Sequence, residues 1–185
     1  MRAEHFCLAL FLCLILAVNM EHKLFDYDTG FMQRCITLAQ KSLDKGDAPF
    51  GSLIAKDEIL IAEGLNDAAS RISEHAEVIA LHNAHTQTGS SDLTGFTLYT
   101  SCEPCPMCAF MIREYKISRV VFALPSPFMG GFSKWNILQD DEIERFQPFF
   151  GKPPIVVGGF LENESKVVMD GTPFWMFGSS AKNQQ

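Results

Sequence analysis

Leu98-Tyr99-Thr100-Ser101-Cys102-Glu103-Pro104-Cys105-Pro106-Met107-Cys108 reads as a strand that passes through a proline-punctuated turn into a helix. The apolar, β-branched and aromatic run Phe96–Thr100 has strand character. Pro104 and Pro106 break it, and Pro106 suits the first turn of a helix reaching about Lys116. A buried-type strand, Arg119–Leu124, follows. Cys105 and Cys108 are three apart at the helix start, so both thiols face the same way, at the end whose partial positive charge favours thiolates. Thirty positions before Cys105 stands His75-Ala76-Glu77. One imidazole, two thiols and a carboxylate are the parts of a catalytic zinc site, with three protein ligands and a fourth position kept for water.

The flanks fit alternating α and β elements. Met32, Cys35, Ile36, Ala39 and Leu43 recur at helical spacing, with Asp28 or Thr29 to cap the start and Gly46 to end it. Ser52–Lys56 and Ile59–Glu63 read as two strands joined by a turn at Asp57-Glu58, and Leu65–Ser73 as polar and irregular. A second helix is expected from Glu74 to His85 with Ser73 as N-cap. After a Pro/Gly-rich loop, Asp140–Phe146 reads as a short helix and Ile155–Phe160 as a fifth strand. This order predicts an α/β fold, a three-layer α/β/α sandwich with a five-stranded mixed sheet.

The chain has 185 residues, 47% hydrophobic and 20% charged, which fits one globular domain with a real core. The net charge of −7 and scattered Lys and Arg count against a dedicated polynucleotide binder. Three of the six cysteines, Cys102, Cys105 and Cys108, fall within seven residues, which favours a metal over a disulfide framework. Cys35 reads as a small core residue. The apolar run Phe6–Val18 spans roughly 20 Å as a helix, short of the roughly 30 Å hydrocarbon core, so no stable membrane anchor is expected. Residues 1–20 are an apolar leader, either an export signal or an extended start ahead of Met20. The catalytic domain is placed at 21–165 and a C-terminal tail at 166–185. The expected location is the cytoplasm, with export as the alternative.

His75 and Glu77 lie two apart, roughly 200° around an ideal helix, and converge on one site only in a first turn that abuts it. Two thiolates and a neutral imidazole cancel the charge of Zn2+. Such a site acidifies water less than a tris-histidine site, so a general base beside it matters. Glu77 is the candidate: it would take a proton from the attacking water and deliver protons to a ring nitrogen and a leaving amine. Other readings stand beside this one. Cys102-Glu103-Pro104-Cys105 is an overlapping CxxC, and with His75 a closed Cys₃His structural site is open. A redox pair lacks the βαβ frame it needs. His82 and His85 read as surface residues down the second helix. Phe128, Phe132 and Trp135, in the glycine-rich loop, could stack on a base or simply serve the core.

Residues 29–160 resemble the cytidine deaminase superfamily, in the branch that holds guanine deaminase, cytosine deaminase and the bacterial tRNA adenosine deaminase. The resemblance rests on Ala48-Pro49-Phe50-Gly51, Glu63-Gly64-Leu65-Asn66, His75-Ala76-Glu77-Val78-Ile79-Ala80-Leu81 and Leu98 through Cys108. H-x-E with P-C-x-x-C is the signature of zinc-dependent base deaminases. The resemblance implies that His75, Cys105 and Cys108 bind zinc, that Glu77 shuttles protons, that Asn66, Phe50 and Ala76 bind the substrate, and that the protein forms a homodimer. Tyr99 through Cys108 is closer to guanine deaminase, so the expected activity is hydrolytic release of ammonia from a free nucleobase or nucleoside, a purine being favoured. The alternatives are a tRNA-specific adenosine deaminase and a non-catalytic, zinc-stabilised domain. Arg71-Ile72-Ser73-Glu74 departs from the Asp-Pro often found before the histidine. Ser126–Trp135 and Glu162–Gln185 match neither subgroup.

Overall fold

In the computed structural model, residues 24–172 are described. The leader at 1–20 lies outside them, as does most of the C-terminal tail. The elements are α1 (Asp28–Asp44), β1 (Gly51–Lys56), β2 (Ile59–Leu65), α2 (Ala76–Thr88), β3 (Thr97–Cys102), α3 (Pro106–Glu114), β4 (Arg119–Leu124), β5 (Ile155–Val157) and α4 (Glu162–Met169), with two short 3₁₀ turns between β4 and β5. The strands form one sheet ordered β2-β1-β3-β4-β5. β1 is antiparallel to β2 and β3, whereas β3, β4 and β5 run parallel. This is the mixed five-stranded sheet expected from the element order. Among the described residues, no helix is long and apolar enough to cross a membrane.

Alternation along the central strands fills two cores, because successive side chains point to opposite faces. Leu53, Tyr99, Val121 and Ala123 face α1 and pack with Met32 and Cys35. Ile54, Leu98, Val120 and Phe122 face the other way, toward Ala80, Leu81 and Ala84 of α2 and Ala109 and Ile112 of α3. Two glycines let helices close on strands. A Cβ at Gly64 would lie 1.9 Å from the Ala76 carbonyl oxygen, and one at Gly51 would lie 2.3 Å from that of Cys35. Only hydrogen fits at either place.

Several boundaries differ from the sequence expectation. The second helix begins at Ala76, with His75 as an extended N-cap, so neither Glu74 nor Ser73 serves as predicted. α3 ends at Glu114, ahead of Lys116, which has positive φ. β5 covers only Ile155–Val157. Glu162–Met169 is too short for its periodicity to read as a helix, yet α4 forms. It crosses the boundary expected between domain and tail at 165/166, with Val168 and Met169 buried and the Ser165 hydroxyl donating to the Ser101 carbonyl at 2.8 Å.

Asp28 does not cap α1. Its carboxylate is fully buried and takes Arg119 Nη2 at 2.6 Å and Nη1 at 2.9 Å, together with the Tyr99 hydroxyl and the Phe25 N–H. Burial pushes the Asp28 pKa up, but the bonds from Arg119, Tyr99 and Phe25 outweigh it and hold the carboxyl below its ordinary value. This cluster ties α1 to β3 and β4 through groups 71 and 91 residues apart. A second buried cation, Arg113, donates to the carbonyls of Ile137, Asp140 and Gly151 and fixes the β4–β5 connection against α3.

Breaking a buried ion pair by removing one partner costs roughly 3–5 kcal/mol. Asp28→Asn is therefore expected to destabilise the fold by about that amount in urea unfolding at pH 7. Because the folded pKa is lowered, the contribution is in place above the ordinary aspartate value of about 3.9 and is lost as pH falls through the lowered one. A mutant and wild type of equal stability at pH 7 would refute this role.

Candidate metal centre and active site

The β3–α3–β4 unit joins two parallel strands, so α3 starts at the carboxyl end of β3, where ligands of open α/β sheets bind. Cys105 is the N-cap of α3, in extended conformation, and Pro106 opens the helix. His75 is the N-cap of α2, also extended. The two helix starts meet: His75 Nδ1 lies 3.5 Å from Cys105 Sγ and 3.5 Å from Cys108 Sγ, and the two sulfurs are 3.6 Å apart. Zn–S bonds of about 2.3 Å and Zn–N bonds of about 2.05 Å in a tetrahedron require S···S of about 3.8 Å and N···S of about 3.6 Å. The donor triangle therefore fits zinc as it stands. Cys102, although buried nearby, is not part of this group. Without it the Cys₃His reading has no fourth ligand, and three donors leave a coordination position open.

The electrostatics follow from proximity. The Cys105 thiol is brought down to about 4, chiefly because the Cys108 thiol donates to it, with His75 adding to the effect. The same bond, together with burial and the Glu77 carboxylate, pushes Cys108 up. The contact with Cys105 raises His75. Cys102 is raised, first by burial, and remains a thiol. The arrangement thus favours deprotonation of Cys105, as a cation ligand requires.

Glu77 is in the first turn of α2 and almost fully buried. Thr100 Oγ1 donates to its Oε1 at 3.1 Å, and Cys108 Sγ lies 3.5 Å from its Oε2. Burial raises its pKa, with the Cys105 charge as the next cause. Placing His75 at the N-cap, outside the helix, resolves the 200° problem: an extended residue need not obey helical phase. A cavity of about 230 Å³ opens over the group, lined by Phe50, His75, Glu77, Glu103, Cys105, Ser126 and Met129, with Cys102 behind them.

A model of the cytidine and deoxycytidylate deaminase zinc-binding region matches residues 26–124. The chain belongs to this deaminase family. A tRNA-specific adenosine deaminase of Bacillus subtilis is 35% identical over 74% of this chain and 83% of its own length. Guanine deaminase of the same organism is 44% identical over 50% of this chain and 62% of its own. The fold also overlays, with TM-score 0.65 and 26% identity, on a structure from a study of tRNA:A34 deaminases, covering 76% of this chain and 99% of that one. The chain is thus an enzyme of the zinc-dependent deaminase kind, with a cytidine deaminase-like fold.

The deaminase brings His75, Glu77, Cys105 and Phe50 to one cavity, with Cys108 buried against His75, Cys105 and Glu77. It does not bring Ala76 and Asn66 to that lining. Ala76 is fully buried under β2, so its methyl offers the cavity no surface. Asn66 donates through Nδ2 to Asp47 Oδ1 at 3.1 Å, and its buried Oδ1 has no hydrogen-bond partner. Phe132 is half-buried against Phe122, whereas Phe128 and Trp135 are exposed. The sequence reading missed Glu103, Ser126 and Met129 as cavity residues. The two from the loop stand well beyond the ligand motif in sequence, and no pattern links them to it.

Zinc content separates this three-ligand arrangement from a closed one. Cys105→Ala or Cys108→Ala is expected to lose the metal, while Cys102→Ala retains one zinc per chain by atomic absorption, since losing a ligand weakens binding far more than losing a neighbouring thiol. A Cys102 variant devoid of zinc would restore the Cys₃His reading.

Proposed function

We propose that the protein deaminates a free purine base or nucleoside by hydrolysis, guanine being favoured, with release of ammonia. The observation that carries this is the cavity lining. Among the described residues it holds an aromatic ring, two carboxylates, small polar groups and a thioether, but no lysine or arginine. Such a lining suits an uncharged ring and offers nothing to a phosphate.

His75, Cys105 and Cys108 hold the zinc. Bound there, the metal supplies Lewis-acid activation of water at neutral pH. Glu77 takes a proton from the attacking water and passes protons to the ring nitrogen and then to the exocyclic amine, which leaves as ammonia while the carbon gains oxygen. Thr100 holds the carboxylate at Oε1 for these transfers. Phe50 packs against the ring. Asn66, whose buried Oδ1 has no hydrogen-bond partner, lies outside the cavity lining, so no contact with the base is assigned to it. Ala76 is likewise outside the lining and is given no role in binding.

A second reading is deamination of adenosine in a tRNA. The match to the tRNA-specific enzyme favours it, because that match spans more of both chains than the match to guanine deaminase does. The net charge of −7 counts against it. The third reading, a non-catalytic zinc domain, leaves a buried Glu77 beside the ligands without purpose. We also propose a homodimer: α3 exposes Met107 and Phe110 on one face, continued by Phe150, an apolar surface fitted to a partner. Cys35 and Cys102, buried thiols outside the metal trio, suit a reducing compartment, the cytoplasm. The alternative of export depends on residues 1–20.

Glu77→Gln is expected to keep one zinc per chain and the native circular dichroism while losing roughly 10²–10⁴-fold in kcat, the usual loss for an acid–base group. Near wild-type turnover would defeat the proton-carrier role, and zinc loss would make Glu77 a ligand. An ammonia-release screen over purine and pyrimidine bases, nucleosides and a tRNA anticodon stem-loop tests the substrate. Conversion of guanine or another purine with slight salt dependence is expected. Steeply salt-dependent conversion of the stem-loop alone would establish the second reading.

A further inference from the structure

Glu103 sits between the ligand-bearing turn and the loop after β4, and the proton-transfer scheme above has no use for it. It is buried and lines the cavity. Its Oε1 accepts from Ser133 N at 2.6 Å and Phe132 N at 3.1 Å, and its Oε2 from Ser126 N at 2.8 Å and Ser133 Oγ at 2.9 Å. A carboxylate has about four acceptor sites, so the loop fills all of them. Gly130 presses against the same group: a Cβ there would lie 2.0 Å from Oε1. One residue on, Gly131 N donates to the Pro104 carbonyl at 2.7 Å. The loop is therefore seated directly on the peptide that leads into Cys105.

We infer that Glu103 is a positioning residue for substrate: it clamps the 126–133 loop so that Ser126 and Met129 form the cavity wall at a fixed distance from the metal ligands. The inference rests on the deaminase reading above. Glu77 comes from the first turn of α2, His75 and Cys105 come from helix starts, and Phe50 stands directly before β1. Ser126 and Met129 have no such support. β4 ends at Leu124, and the main local bonds of the loop are those from Met129 N and Gly130 N to the Ser126 carbonyl, which close a turn without tying it to the site. Glu103 supplies four bonds of that tie, beside the one from Gly131 N to the Pro104 carbonyl, and it stands only two residues before Cys105. Wall and ligands therefore share one rigid reference. The same loop supplies Phe128 and Met129 to a smaller hollow next to the cavity, walled by Pro125, Lys166 and Met169. Where the loop sits therefore decides how large a ring the cavity accepts.

Glu103→Gln tests the clamp on the zinc-loaded full chain. Glutamine keeps the size but turns one acceptor into a donor, which then opposes an N–H of the loop. The variant is expected to keep one zinc per chain and to raise KM for the best base or nucleoside about tenfold or more, the effect of losing roughly one charge-assisted hydrogen bond, with kcat within about threefold. Hydrogen exchange at the amides of Ser126, Phe132 and Ser133 should quicken while that of β4 does not. Ser133→Ala removes only the hydroxyl donor. It is expected to raise KM about two- to threefold in the same sense, and it decides the matter should the glutamine variant not fold. A fall in kcat with KM unchanged, or no change in either, would overturn the inference. If the wild-type protein turns over no base or nucleoside, the functional reading fails by itself. The clamp then stands or falls on the exchange of the three amides, and unaltered exchange would reject it.

Discussion

Two helix N-termini converge on one point at the carboxyl end of a parallel strand pair, and the chemistry of this protein depends on that convergence. α3 must begin there, because the crossover between parallel β3 and β4 leaves no other place for it. α2 begins there because β2 delivers the chain to the same edge and Gly64 lets the helix lie against the strand. Each helix start brings partial positive charge and unpaired N–H groups. Two such ends facing each other would repel a cation. The thiols of Cys105 and Cys108 reverse this, since the same field favours their deprotonation. His75 completes the trio as a neutral donor, so a divalent ion is matched in charge.

The surroundings hold that geometry in different ways. At the amino end of β4, away from the site, the Asp28–Arg119–Tyr99 cluster locks α1 onto the sheet. Arg113 draws the long β4–β5 connection against α3 through carbonyl oxygens. In front, Glu103 fastens the loop that walls the cavity. Each of these three groups is a buried charge whose partners come from distant sequence. A buried charge is tolerated only where its partners are complete; of the three, Glu103 is the one whose partners belong to the loop that walls the cavity. Rigid first contacts supported by hydrogen-bonded neighbours are what a site needs when a small displacement costs rate.

The substrate question divides along the same lines. The ligands, Glu77 and Thr100 lie on elements within the matched region 26–124, and a match there speaks to the shared chemistry. The loop 126–133 and α4 lie beyond it. Ser126 and Met129 of the loop line the cavity, and Met169 of α4 lines the neighbouring hollow.

What the sequence alone determined was local. Spacing put Cys105 and Cys108 on one side of a helix start, and the proline at 106 marked that start. The apolar runs Phe96 through Thr100 and Arg119 through Leu124 read as buried strands, and the element order led to the mixed sheet. The metal trio and its carboxylate were legible because their motif lies in two short runs. The tertiary structure decided everything that joins distant segments. It made His75 an N-cap instead of a helical residue, because α2 starts where its first turn can meet α3. It set Asp28 to pair with Arg119 instead of capping α1, and gave Glu103 the loop amides as partners. It formed α4 by packing, since eight residues are too few for a helix to stand on propensity alone. It also turned Ala76 inward and left Asn66 with an open acceptor. Side-chain periodicity reports which face of an element is buried, but not what lies opposite it, and the partners of a buried charge are set by what lies opposite.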